Sequence, residues 1–124
     1  MAKPAPVNLR SKISDEIFIK YTKKLYPKAF AEYGSRMKDI EKARIAAAFL
    51  AASSPKCDKV FESEYSDKGN RDNIQTFTDC INGERFRFEE SELKDEKGQF
   101  FTEKTFHGGD VKTQAGRAFS QKEE

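Results

Sequence analysis

Apolar and polar positions alternate most regularly between residues 57 and 89. Three runs carry the alternation, CDKVFESEYS, IQTFTDC and INGERFRFE, and the polar stretch DKGNRDN separates the first two. A repeat of two residues is typical of β-strands with one buried face. The dipeptide Asn82-Gly83 between the last two strands favours a two-residue type I′ hairpin turn. We therefore predict a three-stranded antiparallel meander in this part of the chain.

A two-residue loop at Asn82 and Gly83 would set the register of the hairpin. It places Ile81 opposite Glu84, and side chains then alternate between the two faces along each strand. One face carries Phe77, Asp79, Ile81, Phe86 and Phe88. The other face carries Thr76, Thr78, Cys80, Arg85, Arg87 and Glu89. We predict that the first face is buried and that the second is polar and solvated.

The strand before the hairpin returns antiparallel if Val60 pairs with Phe77. That pairing completes an apolar row that continues to Phe88 on the third strand. It also places Cys57 directly opposite Cys80 on the outer face. Directly opposed strand residues come within bridging distance. The sequence leaves open whether the two cysteines form a disulfide.

Two helices are predicted ahead of the strands. The first covers residues 13–26, where Ser14 suits the N-cap position. Apolar residues follow at helical spacing, namely Ile17, Phe18, Tyr21 and Leu25. Pro27 either ends this helix or starts a short segment, KAFAEY, that stops at Gly34.

The second helix, residues 35–52, has the strongest helical pattern in the chain. Its run ARIAAAFLAAS is apolar nearly all round, which indicates a buried helix. The small side chains suit close packing on the sheet and equally a dimer seam, so a monomer and a homodimer both remain open. The predicted fold class is α+β, with two N-terminal helices packed on a three-stranded antiparallel β-meander. One such domain spans residues 13–97, after a flexible leader at 1–12 and before an extended arm and mobile tail at 98–124.

Composition adds a charge asymmetry to this picture. The chain has 124 residues, 35% of them charged, with a net charge of +2. Residues 1–60 hold 13 Lys/Arg and 6 Asp/Glu, a net of +7, whereas residues 61–124 hold 10 and 15, a net of −5. The first ten residues lack the apolar run of a signal peptide, and no stretch approaches the roughly 20 apolar residues of a membrane span. We therefore predict a cytoplasmic protein with no membrane partner.

The residues available for catalysis are few. The one histidine, His107, lies beside two glycines in the predicted mobile tail, where acid–base chemistry lacks a fixed geometry. Two cysteines and one histidine fall short of four zinc ligands, and no phosphate-binding glycine motif is present. Asp79 points to the apolar face in the predicted register, and the sequence leaves open whether it is buried for structure or for function. We predict a protein that is not an enzyme and holds no metal or cofactor.

Two binding functions remain. The first is a small interaction or regulatory protein that binds, and thereby inhibits or modulates, a protein partner. The alternative is a nucleic-acid-binding module that uses a basic first helix and an aromatic and basic sheet face on which bases stack. The candidate binding residues are Lys20, Lys23, Lys24, Lys59, Phe61, Tyr65, Arg85 and Arg87.

Overall fold

The alternating part of the chain forms the predicted antiparallel meander. In the computed structural model the strands are β1 (Val60–Tyr65), β2 (Gln75–Cys80) and β3 (Arg85–Glu89), with β2 in the centre. The structure describes residues 9–105 and, for backbone only, the paired strands β4 (Val111–Lys112) and β5 (Ala118–Phe119). His107 and most of the predicted mobile tail therefore lie outside the described residues. The α+β class is confirmed.

One long helix, α2 (Met37–Ser53), packs on one face of the sheet against β1 and β2. Its alanines are buried, and they face strand positions that are small and polar. The Ser63 hydroxyl donates its one proton to the Arg44 carbonyl of α2 at 2.7 Å, so it accepts the 3.0 Å hydrogen bond from the Thr78 hydroxyl. Small side chains on both surfaces let the helix backbone approach the sheet this closely. The strongest helical pattern in the sequence thus marks the centre of the core.

The first predicted helix is wrong. In place of a helix over residues 13–26, the chain makes a short 3₁₀ turn, Asp15–Phe18, and then continues irregularly. The Ser14 N–H donates to the Val60 carbonyl at 2.9 Å, so this segment runs along the edge of β1. The backbone is held there by tertiary bonds, which outweigh helical spacing as a determinant of local structure. The alternative segment after Pro27 is present as α1 (Pro27–Tyr33), which has only seven residues.

The hairpin register is also wrong, by one residue. Its loop has three residues, because the Cys80 N–H donates to the Glu84 carbonyl at 2.9 Å and Gly83 N–H donates to the Cys80 carbonyl at 3.0 Å. Gly83 has φ +95°, and no non-glycine residue described has a positive φ, which excludes a type I′ turn at Asn82. A glycine at the end of a three-residue loop is the G1-bulge arrangement. Asp79 therefore pairs with Arg85.

This shift exchanges the two faces of β2. The predicted solvated residues Thr76, Thr78 and Cys80 are buried, whereas Phe77 and Asp79 turn outward. The loop residue Ile81, predicted to be buried, is 61% exposed. On β3 the prediction is correct for Phe88, which is buried, and Phe86 is half-buried. Arg85, Arg87 and Glu89 are exposed as predicted.

The cysteines meet in a different way from the one predicted. Val60 pairs with Cys80 rather than with Phe77, so the predicted apolar row of Val60, Phe77 and Phe88 does not form. A bulge after Val60 shifts the rest of β1. Cys57 lies before the strand and forms a disulfide with Cys80 across 5.7 Å between Cα atoms. Both cysteines are buried, so the bond belongs to the core and not to the outer face.

The ends of the described domain join the same core. Leu9 is buried in a 3₁₀ turn, Leu9–Lys12, and Phe101 is buried near the other end. The Phe101 N–H donates to the carbonyl of the buried Leu93 at 3.1 Å, so the segment around Phe101 is held against the core. Among the described residues, no helix is both long and apolar enough to cross a membrane.

Candidate binding groove

A groove of about 970 Å³ opens beside the first half of α2. Its floor is apolar and is formed by Phe30, Met37, Ile45, Phe100 and Phe101. Its rim carries four lysines, Lys20, Lys38, Lys42 and Lys94. We call this site the basic groove. The volume lies at the upper end of the range, about 300–1,000 Å³, that ligand sites occupy.

Helix α2 forms the first wall of the groove with side chains that lie one helical turn apart. Met37, Glu41 and Ile45 are four residues apart and line one strip of the helix, and Lys38 and Lys42 line the adjacent strip. Met37 is buried and Ile45 is half-buried, while both lysines are exposed. The helix therefore presents two apolar side chains and the paired carboxylate of Glu41 at the floor, and a cationic strip at the rim.

The second wall is a tight loop between Lys94 and Phe100. These two residues form an antiparallel bridge, and the Asp95 N–H donates to the Gln99 carbonyl at 2.8 Å. The Asp95 side chain closes the loop further by accepting from the backbone of Lys97 and Gln99 at 2.8 and 3.0 Å. The Lys94 ammonium lies 4.8 Å from the centre of the Phe100 ring. Local hydrogen bonds thus fix an aromatic side chain opposite α2.

The third wall comes from the irregular segment at Lys20 and Tyr21. The Tyr21 N–H donates to Glu41 Oε2 at 2.8 Å, which attaches this segment to α2. Burial and then a hydrogen bond to Glu64 raise the pKa of the Tyr21 hydroxyl. The Tyr21 ring stacks on Tyr26 at 4.0 Å between centroids.

The buried Arg44 guanidinium holds this wall in place. It donates to the carbonyls of Ile17 and Ile19, each at 3.3 Å, and to that of Ser63 at 2.8 Å. It also pairs with Glu41 at 2.6 Å. One charged side chain therefore connects α2, β1 and the segment that was predicted to be a helix.

The two carboxylates in the groove are already neutralised. Glu41 pairs with Arg44, and Asp39 pairs with Arg36 at 3.1 Å. Of the rim lysines, Lys94 pairs with Glu90 at 2.6 Å. In the described part of the chain, the ammonium groups of the other three, Lys20, Lys38 and Lys42, have no ion-pair partner. The open side of the basic groove is therefore net positive.

Glu90 joins three parts of the chain next to the groove through its carboxylate. Its carboxylate accepts from Arg36 at 2.6 and 3.0 Å, from Lys94 at 2.6 Å and from the Ile74 N–H at 3.1 Å. Burial alone would raise the pKa of Glu90, but these hydrogen bonds outweigh burial and lower the pKa to about 2. The carboxylate stays ionised and ties α2 to the loop that carries Phe100.

The residues predicted to form a sheet face for stacked bases do not lie together on one face. Tyr65 turns inward, where its ring contacts Tyr21 and Tyr33, each at 5.7 Å between centroids. Arg85 holds Asp79 through two hydrogen bonds of 2.6 and 2.8 Å and lies over the Phe77 ring. Asp79, which the predicted register placed on the apolar face, therefore lies on the outer face in an ion pair with Arg85.

The same outer face is rich in carboxylates. Glu62, Asp79 and Arg85 form one cross-strand row, and Glu64, Phe77 and Arg87 form the next. Burial and then the neighbouring charges of Glu64 and Asp79 raise the pKa of Glu62. Phosphate groups would meet this negative charge.

The other sequence-predicted binding residues are scattered. Lys59 and Phe61 are exposed at the start of β1, with Phe61 at its bulge. Lys23 and Lys24 are exposed on the irregular segment beyond Tyr21. Within the described residues, the groove lining includes Lys20 as the one member of the predicted set.

Sequence reasoning missed most of the groove. The lysine pair at positions 38 and 42, four residues apart beside the apolar positions 37 and 45, is the signal that marks it in the sequence. Nothing in the sequence pattern indicates that Phe100 returns to face this strip. The described residues also contain no cluster of three or more His, Cys, Asp or Glu side chains suited to a metal ion.

Comparison with known proteins found no matching family model, no matching curated protein and no matching solved structure. Fold family and activity therefore cannot be carried over from a relative. The shape and the charge of the basic groove are the basis on which a function is assigned.

Proposed function

We propose that this protein is a small, non-catalytic interaction domain that binds a partner protein through the basic groove and modulates that partner's activity. The observation that carries the proposal is an open, apolar floor combined with unpaired lysines at the rim. An apolar surface that stays in contact with water is costly unless a partner covers it.

The groove is built to keep its shape. Its three walls are cross-linked by Arg44, Glu41, Glu90 and Arg36, each of which makes bonds to at least two parts of the chain. A preformed site loses little conformational entropy on binding. This rigidity supports recognition of a specific partner surface.

The alternative function, nucleic-acid binding, has less support. The basic helix that it required is an irregular segment, and the sheet face that it required carries carboxylates beside its arginines. Dedicated nucleic-acid domains present a continuous basic surface. The basic groove is the more favourable site, and its aromatic floor suits apolar side chains.

The disulfide indicates the kind of cellular compartment in which the protein would bind its partner. Such bonds persist in oxidising compartments and are rare in the cytoplasm. We therefore favour an oxidising compartment over the predicted cytoplasmic location. Because both cysteines are buried, alkylation is done under denaturing conditions as the cells are broken. It should leave Cys57 and Cys80 unlabelled, and labelling of both would support the cytoplasm.

Photo-crosslinking tests the proposed function. A photoreactive residue at position 42, on the groove rim, should give a discrete adduct with one protein in cells that contain the partner. The matched control carries the same residue at Lys68, which is exposed in the loop between β1 and β2. Excess wild-type protein should compete the adduct, and the Lys38→Glu variant should not. Equal adducts from positions 42 and 68 would contradict the proposal.

A further inference from the structure

Building on the proposed function, we propose that the partner segment in the basic groove is acidic and amphipathic, with Asp or Glu side chains beside large apolar ones. Two features meet at this site and point to such an occupant. One is a cationic rim whose charges are left over after the internal ion pairs form. The other is an apolar floor formed by Phe30, Met37, Ile45, Phe100 and Phe101.

The charge argument rests on which groups are already paired. Both carboxylates of the groove are held by arginines of α2 and the turn before it. Lys20, Lys38 and Lys42 have no such partner among the described residues and are exposed. A cationic partner would meet three like charges, whereas carboxylates would find three donors that form charge-assisted hydrogen bonds.

The apolar argument rests on the exposed part of the floor. Phe30, Ile45 and Phe100 are each half-buried and face a volume of about 970 Å³. Covering them requires apolar side chains, because a purely polar acidic segment leaves this surface wet. Aromatic and aliphatic anchors in such a depression are typical of the centre of a protein interface.

The chain segment that joins two lining residues of the groove has the same chemistry. The chain leaves the groove wall at Tyr21 and returns to it at Phe30. Between them Leu25 is 74% exposed, and just before them Ile19 is 67% exposed. Residues 19–28, IKYTKKLYPK, hold four lysines and no acidic residue. Exposed lysines and apolar side chains outside the groove lining would add contacts for a protein segment that extends past the groove, and a small molecule held in the groove would not reach them.

Fluorescence anisotropy with synthetic probes tests this inference. We expect a labelled peptide of Glu and Leu to bind at least about tenfold more tightly than a peptide of Glu and Ser or one of Lys and Leu. Binding should weaken with salt, because lysine–carboxylate pairs are screened. A single-stranded oligonucleotide and laurate serve as the competing ligand classes. Tighter binding of the Lys–Leu peptide, of the oligonucleotide or of laurate would overturn the inference.

Charge-reversed variants locate the binding. Lys38→Glu with Lys42→Glu should weaken the Glu–Leu peptide by about tenfold or more. The matched control, Lys56→Glu with Lys68→Glu, has the same net charge and changes exposed lysines elsewhere. Circular dichroism of both variants confirms that they fold. Equal weakening in the two variants would show that peptide affinity depends on the net charge of the protein and not on the groove lysines, which contradicts the inference.

Failure of the inference can be told apart from failure of the proposed function. If crosslinking stays specific for position 42 while the Glu–Leu peptide binds no better than the other probes, the groove binds a partner of another chemistry. The proposed function then stands and the inference falls. If the crosslink is also lost, both fall together.

Discussion

Two lysines of the basic groove and one arginine of the outer sheet face differ in what they contact. Arg85 on the sheet is held by Asp79 through two hydrogen bonds. Lys38 and Lys42 beside the groove have no ion-pair partner among the described residues. Aromatic rings accompany the cations in both places. The comparison teaches that aromatic and basic residues on one surface are not enough to mark a binding site, because in the described part of the chain Arg85 is held by a carboxylate whereas Lys38 and Lys42 are not.

A second distinction lies inside the groove, between charges that build it and charges that line it. Arg44, Arg36 and Glu90 are wholly or largely buried and join separate parts of the chain. The exposed rim lysines join nothing in the described structure. Removing a charge of the first kind should therefore cost stability, and removing one of the second kind should cost binding alone.

Replacement of Arg44 by Met should give the largest effect. The change removes the cation that pairs with Glu41 and the donor to the carbonyls of Ile17, Ile19 and Ser63. We expect a loss of about 3–5 kcal/mol in the free energy of unfolding, as for other broken buried ion pairs. Urea denaturation measures it, with Arg85→Met as the exposed control. A loss no greater than in the control would show that Arg44 does not hold the groove wall.

Removal of the disulfide should come next. The bond joins residues 23 apart in sequence. Loop-closure entropy for a loop of that size gives a stabilisation of about 3 kcal/mol. The Cys57→Ala, Cys80→Ala double variant should lose about this amount in urea denaturation. Reduction of the wild-type protein should reproduce the loss, and an unchanged denaturation midpoint after verified reduction would contradict it.

Acid should weaken the anchor below the groove. The pKa of Glu90 falls from its ordinary 4.5 to about 2 on folding, so its stabilisation is present above pH 4.5 and is lost as the pH falls towards 2. Because the pKa is lowered, the unfolded chain binds the proton first and acid favours unfolding. Solvent screening reduces the full value that the pKa shift implies, so we expect about 2 kcal/mol of the pH-dependent loss to disappear in Glu90→Gln. The same pH profile in the variant and the wild type would exclude Glu90 as the cause.

The smallest expected effect is on the outer sheet face. The pKa of Glu62 is raised by burial and by its acidic neighbours, so its ionised form is disfavoured in the folded protein. A raised carboxyl pKa costs stability above the ordinary pKa, and neutralisation removes that cost. Glu62→Gln should therefore raise the free energy of unfolding at pH 7 by up to about 0.5 kcal/mol. A clear decrease would mean that Glu62 makes a favourable contact through its charge.

The sequence predicts the meander from its alternating pattern, and it predicts α2 from a long run of helix-favouring apolar residues. It does not predict the hairpin register, since Asn82-Gly83 is compatible with a two-residue loop and with the observed three-residue loop. The one-residue difference exchanges the faces of β2 and turns Asp79 outward. The turn residues alone do not determine whether a two-residue or a three-residue loop forms. The three-residue loop places Cys80 on the buried face, where it forms the disulfide with Cys57.

The groove was harder to predict because it depends on contacts between distant segments. Arg44 holds the chain near Ile17 in a non-helical form, although the apolar spacing there is helical. The loop that carries Phe100 lies more than fifty residues from Lys42 in the sequence yet lines the same groove. Single-sequence patterns report which residues share a face of one element, and they carry no information on which elements meet.

The most direct test of the central claim is an NMR titration of the isotope-labelled protein with the Glu–Leu peptide, which reports the amides that the ligand affects. The account predicts that the largest chemical-shift changes lie in residues 37–45 and 94–102, which form two walls of the basic groove. Residues 85–89 of β3 should change little. Changes concentrated on β3 and the outer sheet face would contradict the claim that the basic groove is the binding site.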